Sequence, residues 1–258
     1  MAGHHDKGLT MTLKDKTALI TGGSSGIGLA AARALRREGA LVAIMGRRRD
    51  ALETARAELG DDIVIVEGDV SNLADLQRMR DAVGAAFGHL DILFANAGLA
   101  IATPLETCDE ATYSRIMDIN VKGTFFTVQA VLPLMREGGS IILNTSWLNQ
   151  VGAPGRALLS ASKAAVRSFA RTMASELLPR RIRVNAISPG SIETPLHRQN
   201  GQSEEAFRAY TERVGAQVPL GRMGRAEEIA AGVLFLASDA SSYMLGAEIV
   251  MDGGRAEL

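Results

Sequence analysis

The chain has 258 residues, with 28 Lys and Arg against 29 Asp and Glu and a net charge of −1, so no global field draws it to a polyanion. Aromatic residues make up only 4%, with one Trp and three Tyr, which leaves no stacking platform for single-stranded nucleic acid. The single Cys108 excludes an internal disulfide, and no apolar run approaches the roughly 20 residues needed to span a bilayer. Together with the absence of a leader-like stretch, these features predict a cytoplasmic protein whose partner is a small molecule rather than nucleic acid or membrane.

Residues 1–12 are polar, include His4 and His5, and read as a flexible tail ahead of one domain over 13–258. Short β-branched or apolar runs follow at 17–21, 41–45, 63–66, 92–95, 140–144, 183–187 and 248–251. Between them lie longer stretches of helical character at 27–38, 49–59, 73–87, 110–135, 158–178 and 226–237. Ser71 and Asn72 offer caps for the third of these. Several short runs are almost continuously apolar, as strands covered on both faces are. The alternation predicts an α/β, doubly wound, seven-stranded parallel sheet of Rossmann type with helices on both faces. Segment 191–219, polar and holding Pro195 and Gly201, breaks the pattern after a strand and reads as a lid.

The first strand runs into Gly22-Gly23-Ser24-Ser25-Gly26-Ile27-Gly28 and then directly into an Ala-rich helix. Gly22, Gly26 and Gly28 allow left-handed angles and a close backbone approach, so that N–H groups and the positive helix end meet a pyrophosphate. The second strand ends Met45-Gly46-Arg47-Arg48-Arg49, with no acid before Asp50. A carboxylate there would suit a ribose hydroxyl, whereas Arg47 and Arg48 suit a 2′-phosphate, which favours NADP(H) with NAD(H) possible. A solvated arginine surface is the plainer alternative.

With Asp69-Val70, Asn96-Ala97-Gly98, Asn120-Val121-Lys122-Gly123, Ser146, Lys163, Pro189-Gly190 and Met251-Asp252-Gly253-Gly254, the chain resembles the short-chain dehydrogenase/reductase family over about residues 13–254. The resemblance implies hydride transfer between a nicotinamide and a small carbonyl, alcohol or imine-type substrate, in a homotetramer or homodimer. It also implies that Ser24, Ser25, Ile27, Asp69, Val70, Asn96, Ala97, Gly98, Lys163, Pro189, Gly190, Ile192 and Thr194 join the glycine turn and Arg47 and Arg48 around the cofactor. Asp69 and Asn96 read alternatively as turn residues that close their strands.

In that family a tyrosine moves the proton, a lysine four residues on holds the nicotinamide ribose, and a serine thirteen residues earlier donates to the substrate oxygen. Counting forward from Ser146 and back from Lys163 reaches the same position, which is Leu159. Tyr113, Tyr210 and Tyr243 lie far away in sequence, and only Tyr210, in the lid, is placed to swing towards the site. Asn120 is a poor helix former suited to a kink that holds a water. The proton then comes from such a water between Asn120 and Lys163, from Lys163 itself, or from Ser160 or Ser162, which sit off the Leu159 face. Trp147, Asn149 and Gln150 follow Ser146 and, with Leu159, are expected to face the substrate, Trp147 being also a possible core residue. A non-redox enzyme on the same scaffold and a catalytically silent or inactivated nucleotide-binding protein are the alternatives. No metal is expected, since His89 and His197 are isolated.

Overall fold

The computed structural model describes residues 12–195 and 203–258, so the expected tail with His4 and His5, and His197, lie outside the described residues. Seven parallel strands form one sheet in the order β3-β2-β1-β4-β5-β6-β9. They are β1 (Thr17–Thr21), β2 (Leu41–Gly46), β3 (Val64–Glu67), β4 (Leu90–Ala95), β5 (Met135–Asn144), β6 (Arg183–Pro189) and β9 (Glu248–Met251). The order reverses between β1 and β4, the crevice where open α/β sheets bind ligands beyond their strand ends.

Alternate side chains of each strand feed two separate cores, which is why the strands read as unbroken apolar runs. Ala18 and Ile20 face the layer built from α1 (Gly26–Arg37), α2 (Arg49–Leu59) and α8 (Ala226–Ala237). Leu19 and Met45 face the layer of α3 (Leu73–Phe87), α5 (Gly123–Val131) and α6 (Ala157–Leu177). Asn72 caps α3, its side chain accepting from the Ala74 amide at 2.9 Å. Gly88, left-handed at φ 71°, ends that helix.

Three expectations change. The single helix over 110–135 is instead α4 (Glu110–Met117), a π-helical turn over Asp118–Lys122, and α5. The fifth strand begins at Met135 rather than Ser140, because Met135 pairs with Leu90 before Gly138 and Gly139 bulge out and Ser140 re-registers on Ile92. The described part of the expected lid segment holds regular structure: β7 (Ile192–Glu193) pairs with β8 (Gly224–Arg225), and α7 (Glu204–Gly215) stands between them in the chain.

Candidate active site

A cleft of about 780 Å³ runs along the C-terminal ends of the strands. At its centre the chain leaves β1 through Gly22 and Gly26, both left-handed at φ 66° and 53°. Helix α1 then begins at Gly26, its N-cap Ser25 making no side-chain cap bond and no acid lying in its first turn, so its first N–H groups open on the cleft. Ser24, Ser25, Gly26 and Ile27 line this cradle. Gly28 does not. A Cβ there would lie 2.2 Å from the Gly22 carbonyl oxygen, so this glycine lets the helix seat on its own turn instead of touching a ligand.

Arg47 and Arg48 line the cleft beyond the end of β2 and have no carboxylate partner among the described residues. Arg49 is held by Glu53 at 2.6 Å, and Asp50 opens α2 off the cleft wall. The geometry of this end therefore fits a group with added negative charge. Asp69 and Val70 line the wall after β3, with one oxygen of Asp69 accepting from the Ser71 amide and hydroxyl at 2.9 and 2.7 Å.

Asn96 lies on the wall, but its amide is fully engaged. It donates to the Thr21 and Gly22 carbonyls at 3.0 and 3.3 Å and accepts from the Asn144 amide at 2.9 Å. The Asn96 and Ala97 N–H groups both donate to the Thr21 hydroxyl at 3.1 Å. Asn96 thus fastens the glycine turn to β4 and β5, as its turn-closing reading has it. On the other side Pro189, Gly190, Ile192 and Thr194 complete the wall, and Gly190 is small because a Cβ would meet the Asp252 Cα at 2.5 Å.

Lys163, 7% exposed, donates to the Asn144 carbonyl at 2.7 Å, which leaves two of its three N–H groups for other acceptors. Burial pushes its pKa down to about 8. Leu159 stands one turn earlier on the same helix and on the same wall, 6% exposed. Ser146 accepts from the Leu148 amide at 3.3 Å, and its own hydrogen has no protein acceptor among the described residues. Together these place an ammonium, a hydroxyl and a leucine around one end of the cleft. Gly98 leaves the floor open there: the Lys163 Nζ and the Asn120 Oδ1 each lie 3.4 Å from where its Cβ would be.

Asn120 itself is fully buried in the π turn and off the cleft wall. Its Oδ1 accepts from the Leu99 amide at 2.7 Å, and its Nδ2 donates to the Leu99 carbonyl and the Ser162 hydroxyl, both at 3.0 Å. Ser162 passes its hydrogen to the Leu159 carbonyl at 2.8 Å. Neither the Asn120 amide nor Ser162 therefore has a proton free for a substrate, and both act by fixing the loop after β4 to α6. Ser160 is likewise off the wall.

Trp147 lines the cleft, whereas Asn149 and Gln150, expected beside it, do not. The 3-10 turn Trp147–Asn149 directs their amides to Glu248, at 2.6 and 3.1 Å. Of the three tyrosines only Tyr210 lines the cleft, stacked on Phe207. Arg156, Arg213, Gln217 and Arg255 also line it, and the sequence reading did not single them out. They come from three separate stretches, and no local pattern joins them. Among the described residues no group of three metal-ligating side chains occurs. No helix among them is long and apolar enough to cross a membrane.

A family model described as enoyl-(acyl carrier protein) reductase matches residues 22–256. The oxidoreductase asL5 of Sarocladium schorii is 45% identical over 248 residues, spanning 95% of this chain and 98% of that one. The 3-oxoacyl-(acyl-carrier-protein) reductase FabG of Thermotoga maritima is 36% identical over 249 residues, spanning 95% and 99%. A short-chain type dehydrogenase/reductase from Mycobacterium marinum superposes with a TM-score of 0.87 at 36% identity, covering 96% of this chain and 98% of that one.

Proposed function

The chain belongs to the short-chain dehydrogenase/reductase family, and on that premise we propose that it is an NADP(H)-preferring oxidoreductase in which Leu159 occupies the place of the proton-donating tyrosine. The observation that carries this reading is the pairing of Leu159 and Lys163 one turn apart on the cleft wall beside Ser146. A bound dinucleotide would supply or take up hydride at a carbonyl, alcohol or imine-type carbon. The α1 N-terminus would hold its pyrophosphate, Arg47 and Arg48 its 2′-phosphate, and Asp69 would accept from its adenine. Ser146 donates to the substrate oxygen.

Leucine has no proton to give, so Lys163 takes that task, directly or through one water. An ammonium of pKa about 8 is a far better acid near neutral pH than one at 10.5. Below about 8 the group is charged and able to donate; as pH rises through about 8 it loses that proton, and reduction should fall with it. Substrates that need little acid help, such as iminium ions or activated alkenes, suit this arrangement best. A homotetramer or homodimer fits the exposed Ala161, Ala164 and Ser168 of α6 and Phe125 of α5, which sedimentation would test.

The direct experiment is a fluorescence titration with NADPH followed by turnover on a panel of simple ketones and cyclic iminium ions. The expected result is micromolar nucleotide binding with weak ketone turnover. Absence of binding at micromolar NADPH would overturn the proposal, and a rate unchanged as pH crosses about 8 would remove Lys163 as the acid.

A further inference from the structure

Among the described residues, the cleft wall away from the nucleotide cradle carries three guanidinium groups and no carboxylate. Arg156 stands at the entry to α6, Arg213 on α7 and Arg255 just after β9. Among the described residues the one acid lining the cleft is Asp69, which follows β3 at the opposite edge of the sheet and already accepts from Ser71.

Among the described residues, the hydrogen-bond and ring partners of Arg255 are neutral. It donates to the Gln217 Oε1 at 2.9 Å and to the Ser191 hydroxyl, and its Cζ lies 4.4 Å from the centre of the Trp147 ring. Asp252, three residues earlier, has its two oxygens engaged by the Gly254 and Ala256 amides at 2.8 and 2.7 Å. Burial is the main influence lowering the Arg255 pKa; repulsion from Arg156 adds to it, while Tyr210 and Asp252 act the other way. Arg156 is half-buried, and its side chain makes no hydrogen bond or ion pair among the described residues. Two cations that repel each other in a partly dry cleft are unfavourable unless an anion joins them.

Their position relative to the reacting groups is equally informative. Arg156, Leu159 and Lys163 are spaced three and four apart at the start of α6 and all line the cleft. The backbones of Arg156 and Leu159 are therefore separated by about one helical turn along the α6 axis. Arg213, exposed and 5.7 Å from the Tyr210 ring centre, adds positive charge at the rim.

We propose that the substrate of this cleft is an anion, whose carboxylate or phosphate is held by Arg156 and Arg255 while its carbon body lies against Trp147. The proposal rests on reading this end of the cleft as the substrate site of the oxidoreductase proposed above, but it concerns binding and needs no turnover.

Trp147 is the only tryptophan in the chain, so intrinsic emission reports on this spot alone. The probes are benzoate, phenyl phosphate and the neutral benzamide, titrated into nucleotide-free protein and into protein saturated with NADP+. Saturable emission changes are expected with an anion, with benzamide at least about tenfold weaker. Tighter binding of benzoate or of phenyl phosphate identifies which anionic group the site takes. Arg156→Gln should weaken the anion about tenfold while NADPH affinity and melting temperature are retained, and Arg181→Gln on the outer surface should leave it unchanged. Should Arg156→Gln not fold, raised chloride must weaken benzoate but not benzamide in the unaltered protein. Benzamide binding as tightly as the anions, no saturable binding, or an anion affinity indifferent to both Arg156→Gln and chloride would overturn the proposal. Anion binding without NADPH binding would instead sink the oxidoreductase reading and leave the anion site standing.

Discussion

The two ends of the cleft treat their polar groups in opposite ways. Around the glycine turn the side chains that tie it to the sheet are committed to the chain: Thr21 receives two amides, Asn96 fills three bonds, and one oxygen of Asp69 is fixed by Ser71. Around Lys163 the commitments stop. Two ammonium protons, the Ser146 hydrogen and the Arg156 guanidinium have no protein acceptor among the described residues, and the Asn144 Oδ1 is buried without a partner. A backbone-lined anion cradle must be rigid before the ligand arrives, because its donors are N–H groups that cannot rotate to meet it. On the proposed function, the reacting end keeps its donors for the substrate, and leucine at 159 would alter chemistry there without disturbing the fold.

The largest expected effect therefore comes from Leu159→Tyr. Leu159 is 6% exposed and borders the cleft, so a phenol projecting from it enters the cleft rather than the core. Ketone reduction should rise by about 10² to 10⁴ in kcat/KM, the usual worth of a positioned general acid. If the variant folds, binds NADPH and stays inert on a broad carbonyl panel, the reacting end has diverged beyond proton donation.

At the other end Gly28→Ala is the sharpest probe. The clash it creates is between Cβ and a backbone oxygen at 2.2 Å, which no rotamer relieves. Destabilisation on the order of 3 kcal/mol is expected, read as a lower denaturant midpoint together with lost NADPH binding. Unchanged stability would mean that the turn is softer than its hydrogen bonds suggest.

This contrast also explains what the sequence could disclose. The glycine turn is one contiguous stretch between a strand and a helix, so its position is local and readable, with Gly22 and Gly26 at positive φ, whereas Gly28, read together with them, is not left-handed. The π turn at Asp118–Lys122 is not local: Asn120 is held there by Leu99 and Ser162, which the sequence keeps apart. Likewise Met135 joins β5 by pairing with Leu90 across a bulge, and nothing in Arg136-Glu137-Gly138-Gly139 resembles a strand. The cleft wall gathers Arg156, Arg213 and Arg255 from the entry to α6, from α7 and from the segment after β9, and only the fold assembles them. Adjacency to Ser146 misled for Asn149 and Gln150, since the 3-10 turn sends them to Glu248.

A smaller effect is expected from Arg47→Ser. Arg48 remains on the wall, so part of the attraction for a 2′-phosphate survives. The ratio of NADPH to NADH affinity should drop about tenfold, in line with the loss of one charge-assisted contact. An unchanged ratio would reduce the arginine run to solvated surface.

The smallest expected effect, and the one that links the two ends to the sheet, is that of Glu248→Gln. Glu248 stands at the start of β9, its side chain 9% exposed, and accepts from Thr145 at 2.6 Å, Asn149 at 2.6 Å and Gln150 at 3.1 Å, with Arg167 at 3.3 Å. Thr145 and Asn149 bracket Ser146 and Trp147, so this carboxylate fixes the stretch that carries the proposed hydroxyl donor and apolar wall of the substrate site. Glutamine preserves the shape but turns one acceptor into a donor among donors, and removes the charge facing Arg167. Loss of about 1 kcal/mol of stability is expected. A purely structural role would end there. A positioning role adds greater mobility of Trp147, seen as lower emission anisotropy, and a fall in kcat larger than any change in KM for NADPH, because the nucleotide cradle hangs from Thr21 and Asn96 and not from this carboxylate.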